Sequence, residues 1–157
     1  IIPFFLSLKK GEKLPITDER MTRFMISFKQ AIELVWYALE DMIGGEIYVK
    51  KIPSMKVIDI AKAISPEIEH KIIGIRPGEK LHEQMIGTED SFSTYEYSDY
   101  FKILPQIHDW AKDNLRIKNG KKVKEGYTYR SDNNSKWMTD IELKKWIKLN
   151  IKNLEKY

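Results

Sequence analysis

The chain contains no cysteine. That excludes disulfides, thiol nucleophiles and thiolate metal sites, and it fits a reducing, cytoplasmic setting. It contains no run of about 18 apolar residues, the length needed to cross a bilayer, so no membrane partner is expected. The opening IIPFFLSLKK has neither a preceding basic region nor a small-residue cleavage site, so no signal peptide is expected.

Several catalytic signatures are also missing. No G-x-G-x-x-G follows an expected strand and no G-x-x-x-x-G-K-[ST] occurs, so no dinucleotide or triphosphate cradle is visible. There is no G-x-S-x-G elbow. None of the eight tyrosines is followed four residues later by a lysine. His70, His82 and His108 lack zinc-ligand spacing, and His82-Glu83 falls short of H-E-x-x-H because Ile86 occupies the last position. No catalytic, cofactor-binding or metal-binding residue is assigned to this chain.

What is present suits one domain of ordinary size. The 157 residues are 42% apolar, enough for a real core. The net charge of +4 is unevenly placed: residues 1–105 hold 14 Lys/Arg against 16 Asp/Glu, and residues 106–157 hold 13 against 7. A boundary near residue 105 is therefore expected, with a basic C-terminal extension, 106–157, packed on the region before it. Lys121, Lys122 and Lys124 raise a nucleic-acid-binding module as an alternative. Asp109, Asp113 and Glu125 lie among them, and no binding motif surrounds them. The chain opens on Ile1 with its first methionine at Met21, so it is expected to be a piece of a longer polypeptide.

In order, residues 3–10 predict a short helix with Pro3 in its first turn and Gly11 as its stop. Residues 14–17 predict extended chain, because Pro15 biases its predecessor away from helix. Ser27 and Gln30 form a capping-box pattern, followed by Phe28, Ala31, Ile32, Val35, Leu39, Met42 and Ile43 at helical spacing, ended by Gly44-Gly45. EIYVKKI predicts a strand. Ser54 is expected to cap a helix through Val57, Ala61 and Ile64, stopped before Pro66. The stretch IIGIRPGEKLHEQMIG, residues 72–87, predicts a buried strand, a turn at Pro77-Gly78 and a short helix halted by Gly87. FSTYEY and DYFKIL predict a strand or hairpin, and residues 106–126 give no firm assignment. YTYRSDNNSKWM predicts an ordered loop with Asn133 and Asn134 at turns. Thr139 and Glu142 predict a second capping box opening a final helix. Helices alternating with strands predict part of an α/β protein.

Two arginines carry the functional expectation. Arg76 stands at the carboxyl end of the expected strand, where open α/β sheets bind ligands. Its planar fork can hold a phosphate through two hydrogen bonds, which lysine cannot do. Pro77-Gly78 fixes the turn and removes side-chain bulk where a ligand approaches. Glu79 can either position Arg76 or accept hydrogen bonds from sugar hydroxyls. Arg23 is a second, similar cation.

The segments LPITDERMTRFMIS, GGEIYVKKIPSMKVIDIAKA and IIGIRPGEKLHEQMI, with IIPFF and YRSDNNSKWM near the ends, resemble the C-terminal part of the C5-inverting UDP-N-acetylglucosamine 4,6-dehydratases. These are extended short-chain dehydrogenase/reductases of bacterial polysaccharide biosynthesis. The resemblance implies an α/β, substrate-binding C-terminal portion of an extended Rossmann-type enzyme, without the N-terminal dinucleotide-binding domain. It implies that NAD(P), the Tyr-x-x-x-Lys pair and an Asp-Lys acid/base pair belong to that other half, and that this portion alone is inactive.

The resemblance also implies the partners: UDP-N-acetylglucosamine or a related UDP-sugar, the N-terminal Rossmann half, and a homo-oligomeric parent, with no nucleic acid. Residues 14–17, ending at Thr17, match the stretch lining the uridine. Arg23 and Arg76 match arginines contacting the diphosphate, and Glu79 matches an acidic residue near the same ligand. Residues 1–105 would then be the nucleotide-sugar-binding region. In such enzymes a hydride leaves sugar C4 for the cofactor, water is lost across C5 and C6, and the hydride returns at C6 with inversion at C5. The product feeds pseudaminic-acid-type, capsule or lipopolysaccharide pathways. A UDP-N-acetylglucosamine 4-epimerase of capsule biosynthesis shares this C-terminal portion and is the alternative within the enzyme class.

Overall fold

The computed structural model describes residues 2–7, 13–107 and 110–150, the side chains of 110–112 excepted. The elements in chain order are α1 (Ile2–Ser7), β1 (Leu14–Ile16), β2 (Thr22–Phe24), α2 (Phe28–Asp41), β3 (Ile47–Lys50), β4 (Ser54–Lys56), α3 (Val57–Ile64), β5 (His70–Ile72) and β6 (Gln84–Ile86). A 3₁₀ turn (Glu89–Ser93) then leads to β7 (Thr94–Glu96), β8 (Tyr100–Ile103), α4 (Trp110–Ile117), β9 (Lys121–Lys122), β10 (Tyr129–Arg130) and α5 (Asp140–Asn150). The class is mixed α/β, as expected. The chain forms two compact units: Ile1–Met25, Pro53–Glu83 and Ser131–Tyr157 make the first, and Ile26–Ile52 and Gln84–Arg130 the second.

In the first unit, β1 pairs in parallel with β5, Leu14 opposite His70 and Ile16 opposite Ile72, while β2 runs antiparallel to β4. Helix α3 packs on α1 and α5. The core comprises Ile2, Phe5, Leu14, Ile16, Met21, Met25, Met55, Val57, Ile60, Ala61, Ala63 and Leu143. Burying each Ile, Leu or Met contributes ~1.5–3 kcal/mol before chain entropy is counted. Ile2 and Phe5 of the N-terminal helix thus pack within their own unit, although Phe4 and Leu6 are exposed. Gly11, expected to stop that helix, lies outside the described residues.

Thr139 caps α5 as its spacing predicts: its hydroxyl and N–H both donate to the Glu142 carboxylate at 2.8 Å, and the Glu142 N–H returns to the Thr139 hydroxyl at 3.3 Å. Ser54 does not cap α3. It lies in β4, its N–H donating to the Lys136 carbonyl and its own carbonyl accepting from the Met138 N–H. Its hydroxyl accepts from Asn134 Nδ2 at 3.0 Å, so the side chain is taken by the 131–138 loop rather than by the helix. Lys56 is the N-cap, without a side-chain bond.

The second unit carries an antiparallel sheet in the order β3-β8-β7-β9, with α2 packed on β3, and a separate β6–β10 pair. Helix α4 is tied to this sheet by hydrogen bonds from Lys102 and Tyr97 to the carbonyls of Arg116 and Ile117. FSTYEY and DYFKIL form the β7–β8 hairpin. The Ser27 capping box forms as the sequence predicts, with Gln30 N–H on the Ser27 hydroxyl and Gln30 Oε1 on the Ser27 N–H. No residue of α2 is fully buried, and Phe28 and Trp36 are 82% and 64% exposed.

Beneath α2 sits a buried charge network. Lys102 is wholly buried, and its ammonium donates to Asp41 Oδ2 at 2.5 Å and to the Arg116 carbonyl at 2.7 Å. Asp41 also accepts from Lys118 and from the Tyr48 hydroxyl. Burial by itself would raise the Asp41 carboxyl, but the hydrogen bonds from Lys102, Lys118 and Tyr48 outweigh it and hold the group well below the usual carboxylate range.

Candidate functional site

The segment expected to be strand then helix folds differently. Only His70–Ile72 is strand, Ile73–Ile75 continue it as irregular chain, and Ile72, Ile73 and Ile75 are exposed rather than buried. These isoleucines lie outside the core cluster that wholly buries Leu14 and Ile16 of the paired strand β1. No helix follows Gly78. The backbone groups of residues 80–83 are claimed by distant partners, so the i→i+4 ladder cannot form. Leu81 O accepts from Thr22 N–H at 3.1 Å, Glu83 O accepts from Ser131 N–H at 2.8 Å, and Gln84–Ile86 become β6.

The turn itself is as its residues dictate. Glu79 N–H donates to Arg76 O at 3.0 Å, Pro77 takes the first inner position, and Gly78 takes the second with φ +79°. That is a type II turn, whose second inner position disfavours any side chain. A Cβ on Gly78 would meet nothing within 4 Å, so the turn opens to solvent and a ligand can approach its backbone.

Thr17 follows the last residue of β1, and the parallel partner β5 leads to the turn, so the carboxyl ends of a parallel pair bring Thr17 and Glu79 together. Thr17 Oγ1 donates to Glu79 Oε1 at 3.3 Å, and Arg76 N–H donates to Glu79 Oε2 at 3.3 Å. Glu79 thus grips the turn's own backbone. The Arg76 guanidinium is exposed and has no partner among the described residues.

Arg23 is placed otherwise. Its side chain is only 17% exposed. Nη1 donates to Thr22 O at 2.7 Å and Leu81 O at 3.3 Å, Nη2 donates to Lys80 O at 3.0 Å, and Nε lies 3.5 Å from Glu83. Three of the five guanidinium N–H groups thus donate to carbonyl oxygens. Arg23 is a latch on the segment that carries the turn. Nearby, Arg20 is consumed by Asp18 through its N–H, Nε and Nη2, and the hydrogen bond from its side chain holds the Asp18 carboxyl down at about 2.

The sequence reading missed Thr22, His82 and Ser131. Their side chains form a hydrogen-bonded series at the base of the same segment. Nothing in residue type marks them; the only signal is that YRSDNN is too polar for a core yet supplies three buried residues, Tyr129, Ser131 and Asn134.

Among the described residues, no glycine-rich dinucleotide cradle is formed. The strand-to-helix junctions β2–α2 and β4–α3 contain no glycine, and the α2 N-terminus is filled by its own capping box. Among the described residues, no group of three His, Asp or Glu side chains is placed to hold a metal ion.

A family model described as "Polysaccharide biosynthesis protein" matches residues 1–105. The chain belongs to the polysaccharide biosynthesis protein family. Within this family it is 49% identical, over 150 residues, to the UDP-N-acetylglucosamine 4,6-dehydratase (inverting) of Campylobacter jejuni, covering 91% of this chain and 45% of that one. It is 33% identical, over 138 residues, to a UDP-glucose 4-epimerase of Rickettsia canadensis, covering 85% of this chain and 40% of that one. The X-ray structure of Pen from Bacillus thuringiensis superimposes with a TM-score of 0.76 at 29% identity, covering 95% of this chain and 44% of that one. The chain thus spans less than half the length of the curated relatives it matches, and the resemblance to the inverting dehydratases extends over nearly all of it.

Proposed function

We propose that this chain is the UDP-sugar-binding portion of a C5-inverting UDP-N-acetylglucosamine 4,6-dehydratase of bacterial surface-sugar synthesis, acting in the cytoplasm. The Arg76 guanidinium meets the diphosphate, Glu79 fixes the turn that presents it, Thr17 stands by the uridine, and Arg23 latches the segment behind. The observation that carries this reading is one exposed guanidinium on a type II turn, at the carboxyl ends of a parallel strand pair, with its carboxylate neighbour bonded to the turn instead of to it. Each charge-assisted hydrogen bond from Arg76 to a phosphate oxygen would contribute ~1.5–3 kcal/mol.

Catalysis and NAD(P) would come from an N-terminal Rossmann half in a homo-oligomeric parent, so this chain alone would bind without turning over. The apolar outer face of α2, with Phe28, Val35, Trp36 and Leu39 exposed, is the surface to receive that half, since patches of this kind mark interfaces. The family match ending at residue 105 supports taking 1–105 as the nucleotide-sugar-binding region, with the basic 106–157 as its extension. The epimerase reading is second, supported by the 33% identity to UDP-glucose 4-epimerases such as that of Rickettsia canadensis.

The test is calorimetric titration of UDP-N-acetylglucosamine against wild type, Arg76→Ala and Arg23→Ala. Arg76→Ala should lose about tenfold to a hundredfold in affinity. Equal affinity in all three proteins would refute the assignment.

A further inference from the structure

The stretch beyond the family match supplies a side chain to the base of the candidate site. Ser131, fully buried, clasps Glu83 at two points: its N–H donates to the Glu83 carbonyl at 2.8 Å, and its Oγ accepts the Glu83 N–H at 2.9 Å. The same Oγ lies 2.6 Å from Thr22 Oγ1, which lies 2.8 Å from His82 Nδ1. Ser131 Oγ accepts the Glu83 N–H, and the Ser131 hydroxyl faces two oxygens of Thr22, Oγ1 at 2.6 Å and the carbonyl at 3.3 Å. With Nδ1 accepting, the Thr22 hydroxyl donates to His82. The outer ring nitrogen, Nε2, stands 3.8 Å from the Asp132 carboxylate.

Arg23 grips the same segment at Lys80 and Leu81. Residues 80–83 are therefore held by backbone bonds to side chains that come from β2 and from the 131–138 loop. The Arg76–Glu79 turn grows directly from them. A cation on an ordered turn meets a phosphate without first losing the freedom of the turn, and affinity rises by the cost avoided.

We propose that Ser131 is a positioning residue of the diphosphate site: through Glu83 and Thr22 it fixes residues 80–83, so that the Arg76–Glu79 turn is ordered before any ligand arrives. This rests on the diphosphate reading of Arg76. Ser131 is buried and touches no ligand, so its effect falls on the phosphates and spares the nucleoside.

Two measurements on the 157-residue chain test it. In the ligand-free protein, Ser131→Ala should speed amide exchange at Glu79 and Glu83 about tenfold while α3 amides keep their wild-type rates. In titrations, Ser131→Ala should lower the affinity for UDP about tenfold and leave that for uridine unchanged. Thr22→Val removes the hydroxyl of the neighbouring group at constant volume and should act in the same direction if Ser131→Ala does not fold. Unchanged exchange at Glu79 and Glu83 overturns the proposal whatever UDP does. UDP and uridine affinities falling in step overturn it as well, because that marks general loosening. A wild-type chain that binds UDP no better than uridine removes the diphosphate reading and this proposal with it, while the exchange result still tells whether the clasp orders the turn.

Discussion

Replacing Lys102 by methionine puts the buried network of the second unit to a quantitative test. The ammonium has no exposure, and it serves two acceptors, Asp41 Oδ2 and the Arg116 carbonyl. It also lies 5.2 and 5.3 Å from the ring centroids of Tyr48 and Tyr97. Removing one member of a buried pair costs ~3–5 kcal/mol when its partner is left alone. Asp41 would not be alone, because Lys118 and the Tyr48 hydroxyl still donate to it, which places the loss at the lower end of that range. The Arg116 carbonyl adds a stranded acceptor, while methionine fills nearly the same volume and is cheaper to bury. The net is about 3 kcal/mol, or a urea midpoint lower by roughly 1.5 M for a slope near 2 kcal/mol/M. Lys118→Met is the control: that side chain is 55% exposed, so its contribution should stay below about 1 kcal/mol. Urea denaturation followed by circular dichroism measures both. A Lys102→Met chain within about 0.5 kcal/mol of wild type, or a Lys118→Met chain equally destabilised, would refute the reasoning.

The same network sets an acid limit. The Asp41 carboxyl is held below its ordinary value in the fold, so the unfolded chain takes up the proton first, and stability is complete above about pH 4 and lost as pH falls below it. Asp41→Asn should flatten that part of the pH–stability curve; a curve parallel to wild type would contradict it. Arg23→Lys keeps the charge but cannot reach the carbonyls of Thr22, Lys80 and Leu81 together, so UDP affinity should fall about as far as in Arg23→Ala. Wild-type affinity in Arg23→Lys would mean that charge alone matters. The exposed face of α2 should bind a hydrophobic dye, and Phe28→Gln with Trp36→Gln should remove most of that signal. An undiminished signal would place the dye elsewhere.

Much of the fold was legible because it was written in local chemistry. The Ser27–Gln30 and Thr139–Glu142 boxes, the Pro77-Gly78 turn and the β7–β8 hairpin each depend on residues close in sequence. The misreadings share a cause: backbone or side-chain groups with long-range partners. Ser54 looked like a cap until the 131–138 loop took its hydrogen bonds, and residues 80–83 looked helical until Thr22, Arg23 and Ser131 claimed their backbone groups. The IIGI run read as buried because aliphatic residues usually are, yet its isoleucines stay outside the core that buries Leu14 and Ile16 of the paired strand. Of the candidate site, residue types pointed to Arg23, Arg76 and Glu79 and the family resemblance added Thr17, but only three-dimensional placement separates Arg76, whose guanidinium has no partner among the described residues, from Arg23, which donates to carbonyls.

The most direct measurement is a nuclear magnetic resonance titration of the chain with UDP and, separately, with uridine. UDP should shift the Gly78 and Glu79 amides and the Arg76 side-chain N–H resonances, with uridine leaving them in place. UDP that binds without moving any resonance of residues 76–79 would contradict the assignment of Arg76 to the diphosphate.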